Sequence, residues 1–399
     1  MDGDSQRLWN RQFIFLLSLS AVTATAFNMV TPALPLFAVE LGAGLTIAGT
    51  LAGIFAITAL VVRPFSGAAV DRLNKKRLLV VSTALMALAV MGYSQSRSVA
   101  VLFLFRILHG AAFSVSGTTN TSLACAYIPP RRLGEGVGYL GLGFILATAI
   151  GPSLGLGLAE RYGYQVTFTA SAVLFALAAG LMLLLPYRHQ PAAALSPEEG
   201  STGRLRLGDL FARDLLIYAA LAAIVSLSNG VVATFVSLFA QERGIPNIGL
   251  FFTVSAVSML AMRLVGGRLL DRYGLSRVLY PAYAVAGLSM LLLAASRTLP
   301  PVLVASMLRS LGQSAAQPAL QATCIRKLGP ARTGVATSTF FVGADVGQGL
   351  GPIIGGAVSE TMGYSAMYAG TGVVLMLGMV LYAWYERRQR ARQSEAPAS

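Results

Sequence analysis

Charge is what this chain has least of. Only 12% of its 399 residues are charged and 55% are hydrophobic, whereas a soluble chain carries about a quarter charged residues. An ordinary water-soluble globule is therefore excluded. Acids are scarcer still, 16 Asp and Glu against 30 Lys and Arg, for a formal net charge of +14. That excess does not point to nucleic acid. The basic residues sit in short segments between apolar runs of roughly 20 to 27 residues, long enough to cross ~30 Å of hydrocarbon.

Cysteine and histidine are nearly missing, with two of each. Cys125 and Cys324 share no CxxC spacing and no Cys/His cluster, so a disulfide framework, a metal site or a cofactor is not expected. Both read as small buried thiols. There is no Walker motif, nucleophile elbow or pair of catalytic carboxylates, so the chain is not an enzyme. Gly136-Val-Gly138-Tyr-Leu-Gly141 fits GxGxxG but opens an apolar helix with no βαβ unit around it, which excludes a nucleotide site. Met1-Asp-Gly-Asp-Ser-Gln-Arg7 lacks the basic start of a cleavable signal, and the first apolar run is too long for one, so it stays as a span.

What is present is a series of twelve apolar runs, near 11–38, 46–69, 77–96, 99–123, 135–158, 164–186, 214–240, 248–269, 277–296, 300–324, 333–358 and 364–385. They predict an all-α membrane protein of twelve transmembrane helices in two pseudo-symmetric bundles of six. The N-terminal bundle covers 1–186 and the C-terminal bundle 214–399, ending in a short tail. Residues 187–213, rich in Pro, Ser, Glu and Ala, read as a linker. Alternate segments starting with the N-terminus hold 22 of the 30 Lys and Arg, and the opposite segments hold only Arg97, Arg161, Arg243 and Arg297. Both termini and the linker are thereby placed in the cytoplasm.

The two halves repeat. Arg63-Pro-Phe-Ser-Gly67-Ala-Ala-Val-Asp71-Arg72 is matched 200 positions later by Arg263-Leu-Val-Gly-Gly267-Arg-Leu-Leu-Asp271-Arg272. Pro35-Leu-Phe-Ala-Val-Glu40 matches Ser237-Leu-Phe-Ala-Gln-Glu242. Gly151-Pro152-Ser-Leu-Gly155 matches Gly351-Pro352-Ile-Ile-Gly355. Six spans return the chain to the same side, so the halves are parallel copies, an arrangement that commonly places substrate at their midplane interface.

On these residues the chain resembles the major facilitator superfamily, and within it the bacterial drug:proton antiporter-like exporters. Gly67-x3-Asp71-Arg72-x2-Lys75-Lys76 is similar to the family's loop motif, with Asn74 where glycine is usual. Arg106-Ile-Leu-His109-Gly110 resembles the fourth-span motif, with His109 where glutamine is common. Ala147-x3-Gly151-Pro152-x2-Gly155 resembles the antiporter motif of span five, with alanine for its first glycine. Gly347-x3-Gly351-Pro352-x2-Gly355 is the fuller version in span eleven. The resemblance implies proton-coupled efflux of a small amphiphilic organic molecule by alternating access, and Arg106 and Arg309 within the spans turn the expectation toward a carboxylate-bearing one. The expected partners are that substrate, protons and the lipid bilayer, with no nucleic acid, for a monomer in the cytoplasmic membrane. Two alternatives stand beside it: a proton-coupled importer of a sugar or organic acid, and a non-transporting membrane sensor or scaffold.

Asp345 is the sharpest single residue, the one acid of sixteen near the middle of a span. A carboxylate there costs about 2.5–3.5 kcal/mol on insertion scales. Three readings fit it: reversible proton binding, a fixed ion pair with Arg309, and a solvated cavity wall. Arg106 and Arg309 lie in spans four and ten, which the resemblance makes cavity helices. An arginine cannot shed its charge, so each needs an acid, helix carbonyls or an anionic substrate group. His109, one turn from Arg106, shares its face and reads either as a proton carrier or as a packed neutral ring.

Asn28 and Asn229 occupy matching places in spans one and seven and are candidates for substrate contact. Phe27, Phe113, Phe235 and Tyr139 are candidate apolar contacts to cargo. The resemblance makes Gly67, Asp71 and Arg72, with Gly267, Asp271 and Arg272, a conformational latch. The competing reading is plain topogenic charge. Gly151, Pro152 and Gly155, with Gly351, Pro352 and Gly355, read as positions where helices bend or approach closely.

Overall fold

Long apolar runs must satisfy their own backbone groups in lipid, and helices do so within one segment. The computed structural model describes residues 9–128, 133–187, 212–328 and 333–395. It is helical almost throughout. The first half comprises α1 (Arg11–Glu40), α2 (Leu45–Arg72), α3 (Lys75–Gln95), α4 (Val99–Cys125), α5 (Leu133–Tyr162) and α6 (Tyr164–Met182). A 3-10 turn at Arg213–Leu215 leads into α7 (Leu216–Glu242). The run Gly249–Ala295 is broken at Gly274 (φ 77°) into α8 (249–273) and α9 (275–295). After α10 (Leu299–Leu328), the run Thr333–Glu395 is broken at Gly363 (φ 80°) into α11 (333–362) and α12 (364–395). Twelve helices thus stand among the described residues.

The sequence boundaries agree to within four residues except at the end of α12, which runs ten residues past 385. Hydrogen bonds from a neighbouring helix hold that extension, and apolar length alone does not reveal them. Most of the expected linker, residues 188–211, lies outside the described residues.

The duplication is visible in backbone angles. Gly163 (φ 88°) separates α5 from α6 as Gly363 separates α11 from α12. Gly274 has a counterpart 200 residues earlier, and there the two copies differ. Asn74 caps α3 instead, its side chain accepting from Arg77 N at 3.1 Å. The departure from glycine at this position is therefore a helix N-cap in place of a left-handed residue.

Nine runs among the described residues are long and apolar enough to span a membrane by length and composition, one of them holding both α11 and α12. The part of α8 up to Arg263 is a shorter apolar stretch. Helix α10 is not among the nine, because Arg309, Gln313 and Gln317 lower its apolarity. Large apolar side chains such as Val61, Phe65, Leu104, Leu177 and Leu377 are exposed on the helices. Such a surface suits hydrocarbon and not water.

The chain packs as two compact units, one of residues 1–203 with 233–256 and one of 204–232 with 257–399. In the first, α1 lies on α5 and α6, α2 on α4, and α3 on α4 and α6. Its core joins Val30, Leu34, Phe37, Met86, Tyr93, Phe168 and Phe175. Ser153 of α5 donates to Gly249 O at 3.0 Å, tying α5 to the start of α8. In the second unit Leu270, Val278 and Ala319 pack together.

Backbones approach closely at several glycines of α5 and α11. A Cβ on Gly151 of α5 would meet Asn28 Cβ at 2.6 Å and Thr25 O at 2.8 Å, and one on Gly155 would strike Met29 O. On α11, Cβ atoms at Gly343, Gly347 and Gly351 would strike the carbonyls of Ala219, Ala223 and Leu227 on α7. Helices in lipid associate through such contacts, because hydrocarbon offers no hydrophobic drive between them.

Candidate functional site

Each unit buries an arginine in the middle of a span, and each surrounds it differently. In the first unit Arg106 of α4 is 4% exposed. Its Nε donates to Leu51 O at 3.2 Å, and its guanidinium carbon lies 4.3 Å from the centre of the Phe55 ring. Its Nη1 has no hydrogen-bond partner among the described residues. One turn on, His109 is fully buried and shares a 3.1 Å hydrogen bond between its Nδ1 and Tyr93 Oη. Its Nε2 is also unpartnered among the described residues. Gly110 makes room for α2, since a Cβ there would lie 2.7 Å from Phe55 O.

Three phenyl rings border this cluster. Phe27 and Phe113 stack at 4.7 Å, and Phe55 lies 5.4 and 5.2 Å from them. Phe27 and Phe113 are half-buried and keep ring surface uncovered in their unit. The other two aromatic candidates are spent on packing. Phe235 is fully buried, and the Tyr139 ring packs tilted against Trp9, centroids 4.6 Å apart.

The second unit dresses its arginine in amides. Arg309 of α10 donates from Nη1 to Gln313 Oε1 at 2.8 Å and to Asn229 Oδ1 at 3.3 Å. Asn229 Nδ2 in turn donates to Gln348 Oε1 of α11 at 3.0 Å. One turn further along α10, Gln317 donates to Ser226 Oγ at 2.9 Å. The result is a polar ladder across α7, α10 and α11. Asp345 is half-buried on α11, three residues before Gln348 and so on the same side of that helix.

The two matching asparagines are used unlike one another. Asn229 is the middle rung of the ladder. Asn28 is 6% exposed, packs against Gly151, and donates back to Ala24 O of its own helix at 2.8 Å.

Sequence reasoning missed Tyr93, Gln313, Gln317, Gln348 and Ser226. A signal was available for two of them. Arg309, Gln313 and Gln317 recur every four residues, which makes a polar stripe along one face of an otherwise apolar span. Tyr93 offered no such signal.

Of the latch candidates, the side chains of Asp71, Arg72 and Asp271, and the surroundings of Gly67 and Gly267, lie outside the described residues. Arg272 is exposed and its guanidinium carbon is 5.4 Å from the Tyr273 ring centre. Beside the first copy, Lys76 Nζ donates to Leu183 O at 2.7 Å. That basic residue therefore closes the C-terminal end of α6.

Residues 16–247 and 218–399 each match the family model described as Major Facilitator Superfamily. Multidrug resistance protein MdtG of Yersinia enterocolitica is 26% identical over 394 residues, which cover 96% of this chain and 94% of the relative. MdtG of Citrobacter koseri is 26% identical, with 96% of each chain covered. A crystal structure of a point mutant of the nucleoside transporter NupG superposes with a TM-score of 0.80 at 18% identity, covering 93% of this chain and all of that one. A second NupG structure gives 0.77 at 17%, covering 93% and 99%. These structures share the fold. With both halves matched, the chain belongs to the major facilitator superfamily: it is a multi-pass membrane transporter and not an enzyme.

Proposed function

We propose that this protein exports a small amphiphilic or carboxylate-bearing organic molecule in exchange for protons, as a monomer in the cytoplasmic membrane with both termini in the cytoplasm. The observation that carries the reading is the pair of glycine seams, α5 on α1 and α11 on α7. They set the Gly-Pro motif of an antiporter-like exporter directly against carbonyls of the neighbouring helix. The similarity to multidrug resistance proteins over nearly the whole chain supports the same direction of transport.

The residues divide the work. Asp345 takes up and gives back the proton, because a carboxylate in the middle of a span is costly to ionise and is relieved by protonation. Arg106, His109 and Tyr93 form a second polar centre that senses that change. Arg309, Asn229 and Gln348 of the second unit present hydrogen-bonding groups to the polar part of the cargo. Asn28, tied to its own helix and to Gly151, contributes by holding α1 on α5. Gly67, Asp71, Arg72 and their copies Gly267, Asp271 and Arg272 act as the latch.

Everted membrane vesicles given a fluorescent amphiphile in the outside medium test this reading. Imposing an acid interior should drive accumulation, and collapsing the gradient should release the dye. Accumulation under the opposite gradient, in right-side-out vesicles, would establish the importer instead.

A further inference from the structure

The cytoplasmic extension of α12 is built in a way that transport does not use. One face of the helix is exposed and apolar at Val373, Leu377, Val380 and Trp384. Spacings of three and four residues keep these positions on one side. The stripe is ~16 Å long by helical rise, close to the ~15 Å depth of one leaflet of hydrocarbon. Trp384 therefore ends the apolar stripe at the depth where indole rings collect, between hydrocarbon and headgroups. Arg387 and Arg388 follow on the same face, both exposed. The Arg388 guanidinium carbon sits 4.0 Å from the Trp384 ring centre.

The opposite face is fixed to the bundle. Glu386 accepts from Ser276 Oγ and Tyr280 Oη, each at 2.8 Å. Tyr382 shares a 3.0 Å bond with Ser276, and Lys327 donates to Tyr385 Oη at 3.3 Å. Glu386 also takes Arg390 at 2.6 Å. Arg390 is thereby neutralised, whereas no carboxylate among the described residues pairs with Arg387 or Arg388. Two guanidinium groups with no carboxylate partner among the described residues are thus held in place just beyond a leaflet-long apolar track.

We infer that this face is a binding site for one anionic phospholipid, with its acyl chains along Val373–Trp384 and its phosphate at Arg387 and Arg388. The charge is complementary, and the track matches a chain of leaflet length. Anchoring by Glu386 and Tyr385 presents the arginines without an ordering cost on binding.

The chain's two tryptophans, Trp9 and Trp384, provide the probe. In full-length Trp9→Phe protein reconstituted in phosphatidylcholine, emission comes from Trp384 alone. Brominated phosphatidylglycerol should quench it at a lower mole fraction than brominated phosphatidylcholine, by about fivefold for each arginine engaged. The Arg387→Gln/Arg388→Gln double variant should abolish the preference, and Arg390→Gln should keep it. Equal quenching by the two lipids, or a preference that survives the double variant, would overturn the site. Loss of the preference in Arg390→Gln alone would overturn the assignment to this pair. Suppression of the preference by millimolar inorganic phosphate would show a free-anion site and not a lipid site. Dye transport plays no part in these readouts, so the export reading stands or falls separately.

Discussion

Asn229 and Arg309 meet at 3.3 Å, side-chain oxygen to guanidinium, and the same asparagine passes its amide hydrogen to Gln348 at 3.0 Å. A permanent charge and two neutral amides thus share one network spread over three helices. Removing the central amide leaves both neighbours short of a partner. Asn229→Leu should lower unfolding stability by about 1–2 kcal/mol, the usual consequence of stranding buried polar groups. It should also raise the apparent KM for cargo. Thermal unfolding in detergent and concentration-dependent vesicle uptake measure the two effects, and an unchanged KM would remove Asn229 from cargo recognition.

The glycine seam makes a sharper forecast. Gly347→Ala pushes a methyl group into Ala223 O of α7, backbone that has no flexible end to yield. Overpacking of this kind costs about 1–3 kcal/mol. Gly180→Ala is the control, since a Cβ there meets nothing within 4 Å. Its stability should be unchanged or slightly raised, alanine being the better helix former. Equal melting temperatures for the two variants would refute close backbone approach as the reason for the motif.

Asn74 offers a local test. Asn74→Ala removes the cap on α3 and should cost about 1 kcal/mol, whereas Asn74→Gly should cost only a few tenths. Equilibrium unfolding of the three proteins gives the order, and a glycine variant less stable than the alanine variant would contradict the capping role.

Tyr93→Phe removes the one hydrogen-bond partner shown for His109 Nδ1 while keeping the ring in the core. The loss should be about 1 kcal/mol in stability. If the cluster senses protonation, the variant should also shift the pH profile of transport. A profile identical to wild type would reduce Tyr93 and His109 to packing.

Much of this was legible in the sequence, for reasons tied to particular residues. The apolar runs and their basic flanks determine helices and spacing, because a membrane admits few other solutions. Gly151 and Gly351 were readable as contact points, since no other residue type lets two backbones touch. The partners of the buried arginines were not readable. Arg106 and Arg309 look alike in sequence, yet one lies over Phe55 and the other is held by Asn229 and Gln313. Which face each helix turns to its neighbours decides that, and the run of apolar residues does not carry it. The extension of α12 was hidden for the same reason, because Ser276 and Tyr280, over a hundred residues away, hold Glu386 in place.

Proton coupling through Asp345 is open to one decisive comparison in reconstituted vesicles. Asp345→Asn should still exchange labelled for unlabelled cargo at equilibrium, yet fail to concentrate it when a pH gradient is imposed. Gradient-driven accumulation equal to that of the unmodified protein would mean the proton travels by another route.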